Sequence, residues 1–458
     1  MQSSSTSAGQ GLAPREAFSS GLGAFAATLG SAIGLGNIWK FPFLTGQNGG
    51  AAFVLAYLLS VALVGFPVLV AEHIIGRRTR LNAIHAYGSV VPKQKFWSIV
   101  GWAGCLSALL IMAFYTDVAG WVFAYVFKSI GAALGGPALG AETFGALAGG
   151  VAEPLLWQLG VLALTSTIIA IGVSKGIERT TKTLMPLLLV LLVVCDIRAL
   201  TLPGAFAGVE YLFKPDLGKL TGTVILAALG LSFFKLSLGM GTMTTYGSYM
   251  PDSTKIAPNA LRVALSDTLV SLLAGLAIFP AVFAFGGQPA GGPGLLFNTI
   301  PLVFSQMPLG GFFTVLFFIL AAVATIGAMV SLIEVPVAFL AEKGKLKRPA
   351  AAYLTGAAMF ALGSLATLSQ GDTLGSVKIF GKNFFDLFDF ASSNVLLPVG
   401  GLAIAVIAGW LLSKKDFVSE LCKGCGGEPR YVALIRATLK FVAPLLIAVI
   451  LLNGFGII

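Results

Sequence analysis

Lys235 is the residue whose chemistry packing explains least. It sits in the apolar run from Val224 to Gly241, which ends FFKLSLGMG. A cation at the centre of a bilayer span costs roughly 2.5–3.5 kcal/mol on insertion scales, so it requires a partner and, as a rule, a task. Beside it the run breaks at Leu238-Gly239-Met240-Gly241, and an earlier apolar run breaks at Gly34-Leu35-Gly36. Paired interruptions of this kind mark the binding site of a secondary transporter. They bare backbone amides and carbonyls at mid-membrane, where these are tolerated only if they line a cavity or bind something. Other polar groups point less sharply. Glu72 and Glu334 fall inside apolar runs and are expected to satisfy freed backbone or neighbouring hydroxyls. His73 and His85, the two histidines, fall near one end of the second apolar run, where an interfacial position is the default. Cys422 and Cys425 form a single CxxC; without a second pair this reads as reduced thiols rather than a zinc site. No nucleophile–base pair or HExxH metal motif stands out, so neither an enzyme nor a cofactor is expected, and no metal is assigned.

The elements that must hold these residues are membrane helices. Hydrophobic residues make up 57% of the chain and charged residues 10%, against about a quarter charged in ordinary soluble domains. Continuous apolar stretches run at approximately 22–46, 51–76, 97–130, 152–173, 183–201, 220–249, 260–285, 309–340, 350–369, 384–411 and 431–456. That predicts about eleven spans in an all-α bundle; a β-barrel would need short alternating segments. The net charge of +10 reads first as topology. Arg77, Arg78, Arg80, Lys343, Lys345, Lys347 and Arg348 fall in loops of one side, and far fewer cations fall on the other. This orients the N-terminus to the cytoplasm and makes nucleic acid an unnecessary partner. Residues 1–14 lack the features of a cleaved signal and are expected to be disordered. Residues 15–455 read as a single transporter domain. Repeat one covers 15–205, repeat two 215–412, and an extra helix 429–456. Five spans per repeat force opposite orientations, the inverted-repeat logic of alternating access.

Gly30-Ser31-Ala32-Ile33-Gly34-Leu35-Gly36-Asn37-Ile38-Trp39-Lys40-Phe41-Pro42, followed by Asn48-Gly49-Gly50, resembles the first span of the neurotransmitter:sodium symporters. Phe233 to Gly241 resembles their sixth span, Gly176-Ile177-Glu178-Arg179 with Pro186 their fifth, and Ala274 to Phe279 their seventh. The resemblance implies a LeuT-type fold with unwound helices 1 and 6. It also implies transport of an amino acid or similar small solute, in a bacterial plasma (inner) membrane. The substrate would lie beside Gly34, its carboxylate meeting the backbone at Leu35 and Gly36 and the Tyr115 hydroxyl. Its amine would meet carbonyls of Ala32, Phe234 and Lys235, with Ser237 nearby. Ile111, Phe234, Met240, Ser331 and Leu332 would shape the side-chain pocket. Gly34 stands where monoamine carriers have an aspartate, which favours a substrate bringing its own acidic group. Lys40 and Asp389 match the extracellular gate, and Arg15 and Glu342 the intracellular one, with Phe18 for the usual tryptophan.

The departures from the family are sharper than the matches. At the first sodium site Ala32 and Asn37 remain, but the sixth-span hydroxyl is replaced by Lys235 and the seventh-span asparagine by Asp267. Sodium wants oxygen ligands, and an ammonium in the same cavity repels it and fills its volume. At the second site Gly30, Ile33 and Ala324 could still offer carbonyls, but Gly327 and Ala328 stand where hydroxyls are expected. Chloride is disfavoured because Leu231 replaces a glutamine and Asp267 already supplies negative charge. The expectation is a sodium-independent carrier in which a Lys235–Asp267 pair replaces the first sodium and the ammonium contacts the substrate carboxylate. The pair is either a fixed prosthetic cation or a group that takes up and releases protons. A conventional sodium-coupled symporter is the alternative.

Overall fold

The computed structural model describes residues 16–91, 94–287, 294–342, 344, 346–423 and 429–454. Among these, nine helices are long and apolar enough to cross a membrane, or ten if the bent pair Gly21–Ala32 and Gly36–Gln47 is one span. That pair, bent by 48°, is the first span. The second to fifth are Ala51–Thr79, Lys95–Ala133, Ala152–Ile171 and Val173–Leu200. The shorter apolar helix Gly222–Lys235, continued past a break by Thr242–Tyr249, makes the sixth. Ile256–Ala284, Gly310–Glu342, Arg348–Leu368, Phe384–Leu411 and Arg430–Gly454 are the seventh to eleventh. The fold is LeuT-type, as the family resemblance implies, and all-α among the described residues.

The fifth span starts ten residues earlier than the apolar run suggests. Lys175, Glu178, Arg179 and Lys182 make its first turns look like a loop. The structure gives Glu178 its partners inside the bundle instead: it accepts the Ser19 amide (2.7 Å) and pairs with Lys182 (2.6 Å). Burial separates central spans from peripheral ones. In the eighth span 83% of the apolar window is buried, against 28% in the eleventh, so the eighth is core and the eleventh a lipid-facing addition.

Two glycines fix how closely the centre packs. A Cβ on Gly327 would lie 2.4 Å from the Gly30 carbonyl oxygen, so the first and eighth spans touch backbone to backbone. Gly239 has φ +78°, and a Cβ there would meet the Leu397 carbonyl at 2.4 Å. Only glycine meets both demands at that turn without strain.

Candidate substrate and ion site

The first break begins where Ile33 turns extended (φ −83°, ψ 113°) and closes the helix ahead of it by bonding Leu29. The amides that follow are captured from outside the helix. Gly34 donates to Asn37 Oδ1 (3.1 Å) and Leu35 to the Tyr115 hydroxyl (3.0 Å). Tyr115 therefore accepts from the break while its own proton remains to donate to a ligand.

The second break is held by a carboxylate. Glu72, fully buried, accepts from the Gly239 amide (2.8 Å), the Thr244 amide (3.1 Å) and the Thr244 hydroxyl (3.0 Å). It thereby caps the helix that restarts at Thr242, where orphan amides and the helix dipole both favour an anion. This is the role read for Glu72. Ser237 sits at φ +53°, a region costly for any residue with a Cβ, and its hydroxyl donates to the Ser31 carbonyl (2.9 Å) across the two breaks. Ser31 in turn reaches Ser237 Oγ (3.1 Å) and Ser331 Oγ (2.8 Å).

Lys235 and Asp267 meet as expected, with Nζ 3.0 Å from Oδ2 and both side chains wholly buried. The ammonium also donates to the Tyr57 hydroxyl (2.9 Å) and to Ser271 Oγ, and lies 5.0 Å from the Phe41 ring centre. Asp267 is saturated from the other side. Tyr57 donates to Oδ2 (2.9 Å), while Asn37 Nδ2 donates to Oδ1 (2.7 Å), to the Asp267 carbonyl (3.1 Å) and to Ser271 (3.0 Å). A buried pair is tolerable when geometry is good and the remaining donors and acceptors are matched, and here they are. The expected direct contact between ammonium and substrate carboxylate needs correction in this conformation. All three N–H groups are spent on Asp267, Tyr57 and Ser271, and the lysine offers its stem to the cavity, beside Gly36.

A narrow cavity lies between the breaks, lined by Ser31, Ala32, Gly34, Gly36, Ile111, Tyr115, Phe234, Lys235, Ser237, Met240, Ala328 and Leu332. Most of the expected substrate residues therefore meet. Leu35 instead lines an outer chamber of about 250 Å³, and Ser331 contributes through Ser31. Sequence reasoning missed Ser31 as lining and read Ala328 only as part of an ion site. The i, i+3 spacing of Ala328 and Ser331 on one helix face was the available signal. At the second ion position Gly327 abuts Gly30, and the nearby Thr325 hydroxyl bonds back to the Ala322 carbonyl (2.7 Å).

Lys40 and Asp389 close the outer chamber at 3.3 Å, part-exposed at 23% and 36%, with the ammonium 4.1 Å from the Phe234 ring centre. The opposite end is bolted more heavily. Glu334 takes the Tyr249 hydroxyl (2.6 Å) and Arg348 (2.6 Å), and Phe18 packs edge-on against Tyr246 and Tyr249. Glu342 accepts the amide and side chain of Asn82 (3.1 and 2.6 Å). Arg15, its expected gate partner, and Cys425 lie outside the described residues. Among the described residues no cluster of three or more His, Cys, Asp or Glu could hold a metal.

With this geometry established, comparison with known proteins identifies the framework. The Bacillus subtilis protein named uncharacterized sodium-dependent transporter YhdH is 40% identical over 445 residues, 96% of this chain and 98% of that one. The human sodium- and chloride-dependent taurine transporter is 28% identical over 87% of this chain and 71% of its own length. The crystal structure of MhsT in complex with L-phenylalanine matches with a TM-score of 0.89 at 42% identity, covering 96% of this chain and 100% of that one. Residues 15–137 and 148–457 match the sodium:neurotransmitter symporter family, and the chain belongs to that family of membrane transporters.

Proposed function

We propose that the protein carries an amino acid or closely related small zwitterion by alternating access without using sodium, the Lys235 ammonium standing where the first sodium would bind. The observation that carries this reading is the wholly buried Lys235–Asp267 pair at 3.0 Å, saturated by Tyr57, Ser271 and Asn37. An ammonium and a sodium ion have the same charge and both need oxygen around them. Once the lysine has taken those oxygens, a metal would face an unscreened cation and a depleted ligand set. The second site is weaker by the same logic, since Gly30, Ile33 and Ala324 offer carbonyls while Gly327 and Ala328 offer no hydroxyl.

The substrate would lie in the cavity between the breaks, with its carboxylate on the free Tyr115 proton and the backbone at Gly34 to Gly36. Its ammonium would take the carbonyls of Ala32, Phe234 and Lys235, where helix ends leave acceptors. Ile111, Met240, Phe234 and Leu332 suit a modest apolar side chain, and Ser31 and Ser237 add hydroxyls. The Lys40–Asp389 side would face outward and the Arg348–Glu334 side the cytoplasm, with the N-terminus inside.

The relatives' names favour a second reading, ordinary sodium coupling. Uptake into proteoliposomes separates the two. The proposal expects equal initial uptake when choline replaces sodium on both sides; uptake that appears only with an inward sodium gradient would establish the second reading. An imposed pH gradient then divides the first: concentrative uptake means that the Lys235–Asp267 pair exchanges protons, and exchange alone means a fixed cation.

A further inference from the structure

The start of the seventh span meets the start of the first in a pocket that shares no lining residue with the cavity between the breaks. It has a volume of about 310 Å³, and Leu22, Thr254, Lys255, Asn259 and Arg262 are among its walls. Three observations concern what would fill it. The two cations, both exposed, have no acidic partner among the described residues, whereas Arg77, Arg78, Arg80 and Lys423 are each in an ion pair. Thr254 and Asn259 are each only 5% exposed, and the Thr254 hydroxyl and the Asn259 side-chain amide nitrogen have no hydrogen-bond partner. Finally, the 29-residue helix beginning at Ile256 has no side-chain cap, so its first amides add uncompensated positive potential there.

Buried donors left without partners are costly, and no carboxylate lines the pocket to meet them. The loop is also held in shape, because Arg77 donates to the Thr254 carbonyl and to Glu420. Leu261, Leu265 and Leu269 lie exposed at four-residue spacing on the same helix, an apolar stripe leading away from Arg262.

We propose that this pocket binds a phosphate group, with Lys255 and Arg262 supplying charge, Asn259 and Thr254 supplying directed hydrogen bonds, and the leucine stripe suiting acyl chains when the group belongs to an anionic phospholipid. Such a ligand would tie the beginning of the first span, at Gly21 and Leu22, to the seventh.

The test uses the full-length protein, delipidated in detergent, with native mass spectrometry and thermal shift. The probes are phosphatidylglycerol, phosphatidylcholine and inorganic phosphate. The wild type should retain phosphatidylglycerol at least about tenfold more tightly than phosphatidylcholine, and both Asn259→Leu and the Lys255→Gln/Arg262→Gln pair should lose about that factor. Competition by inorganic phosphate would assign recognition to the phosphate alone; retention of the lipid without competition would assign it to headgroup and chains together. Both outcomes uphold the site. Equal retention of the two lipids with no stabilisation by phosphate overturns it, as does phosphatidylglycerol binding unchanged in both variants.

Discussion

Two Lys–Asp pairs hold the chain's broken first and sixth spans to their neighbours, each ammonium facing an aromatic ring, and they differ in almost everything but their chemistry. Lys40 and Asp389 are 3.3 Å apart and part-exposed; Lys235 and Asp267 are 3.0 Å apart with no exposure at all. Water screens the first pair, and each member can solvate itself if the other leaves. The second pair has only protein around it. Tyr57, Ser271 and Asn37 therefore do for it what water does for the Lys40–Asp389 pair. An ion pair at the surface of a chamber is suited to opening and closing, whereas one that is sealed and saturated is suited to staying put.

The largest effect that could break this contrast is Lys235→Met. It strands Asp267 as an unpaired buried charge and should cost about 3–5 kcal/mol, read as a lowered denaturation midpoint in detergent. Adding Asp267→Asn should recover most of the loss, because the uncompensated charge is gone. If the single and double variants are equally destabilised, the pair does not act as a unit. Tyr57→Phe sharpens the comparison by keeping the charges and removing one bridge. It leaves an N–H of Lys235 and a lone pair of Asp267 unmatched, and should cost about 1–3 kcal/mol. The Lys40–Asp389 pair should respond less. Lys40→Met is expected within about 1 kcal/mol of wild type in stability while changing substrate exchange rates, and Lys40→Arg should slow release because a guanidinium can grip the carboxylate with two bonds.

The smallest effect belongs to an exposed carboxylate held by two cations. Asp252 lies at the basic end with its side chain 68% exposed, 3.2 Å from Lys423 and 2.6 Å from Arg80. The hydrogen bond from Lys423, joined by that from Arg80, holds its carboxyl below the usual carboxylate range. A depressed folded-state pKa gives stability that is present above the unfolded value, about 3.9, and is lost as pH falls through the folded value. Asp252→Asn should therefore cost less than about 1 kcal/mol at neutral pH and nothing in acid below that range, measured by thermal melts across pH.

The parts of this arrangement that were legible from sequence are those that violate local expectation. Lys235 stands out because apolar spans exclude cations, and Gly34, Gly36, Gly239 and Gly241 stand out because each pair, one residue apart, weakens a helix at a single point. The fold follows from those breaks and from the first-span motif. What could not be read depends on contacts between distant segments. Arg77 looks like a topology signal in a basic loop, yet it is fully buried against Glu420 at 2.5 Å, a partner supplied by a segment far along the chain. Ser31 and Ala328 face the cavity by the rotation of their helices, which an apolar run leaves undetermined when residues all round it are apolar. The early start of the fifth span was hidden because Glu178 and Lys182 find each other and Ser19 rather than water.

The most direct test of the central claim is the equilibrium dissociation constant of a transported amino acid, measured by calorimetry on the purified wild type in sodium and in choline at equal ionic strength. If Lys235 occupies the place of the metal, the two constants agree. A constant that tightens steeply with sodium would mean that the ion still binds beside the substrate, and that the buried lysine has some other purpose.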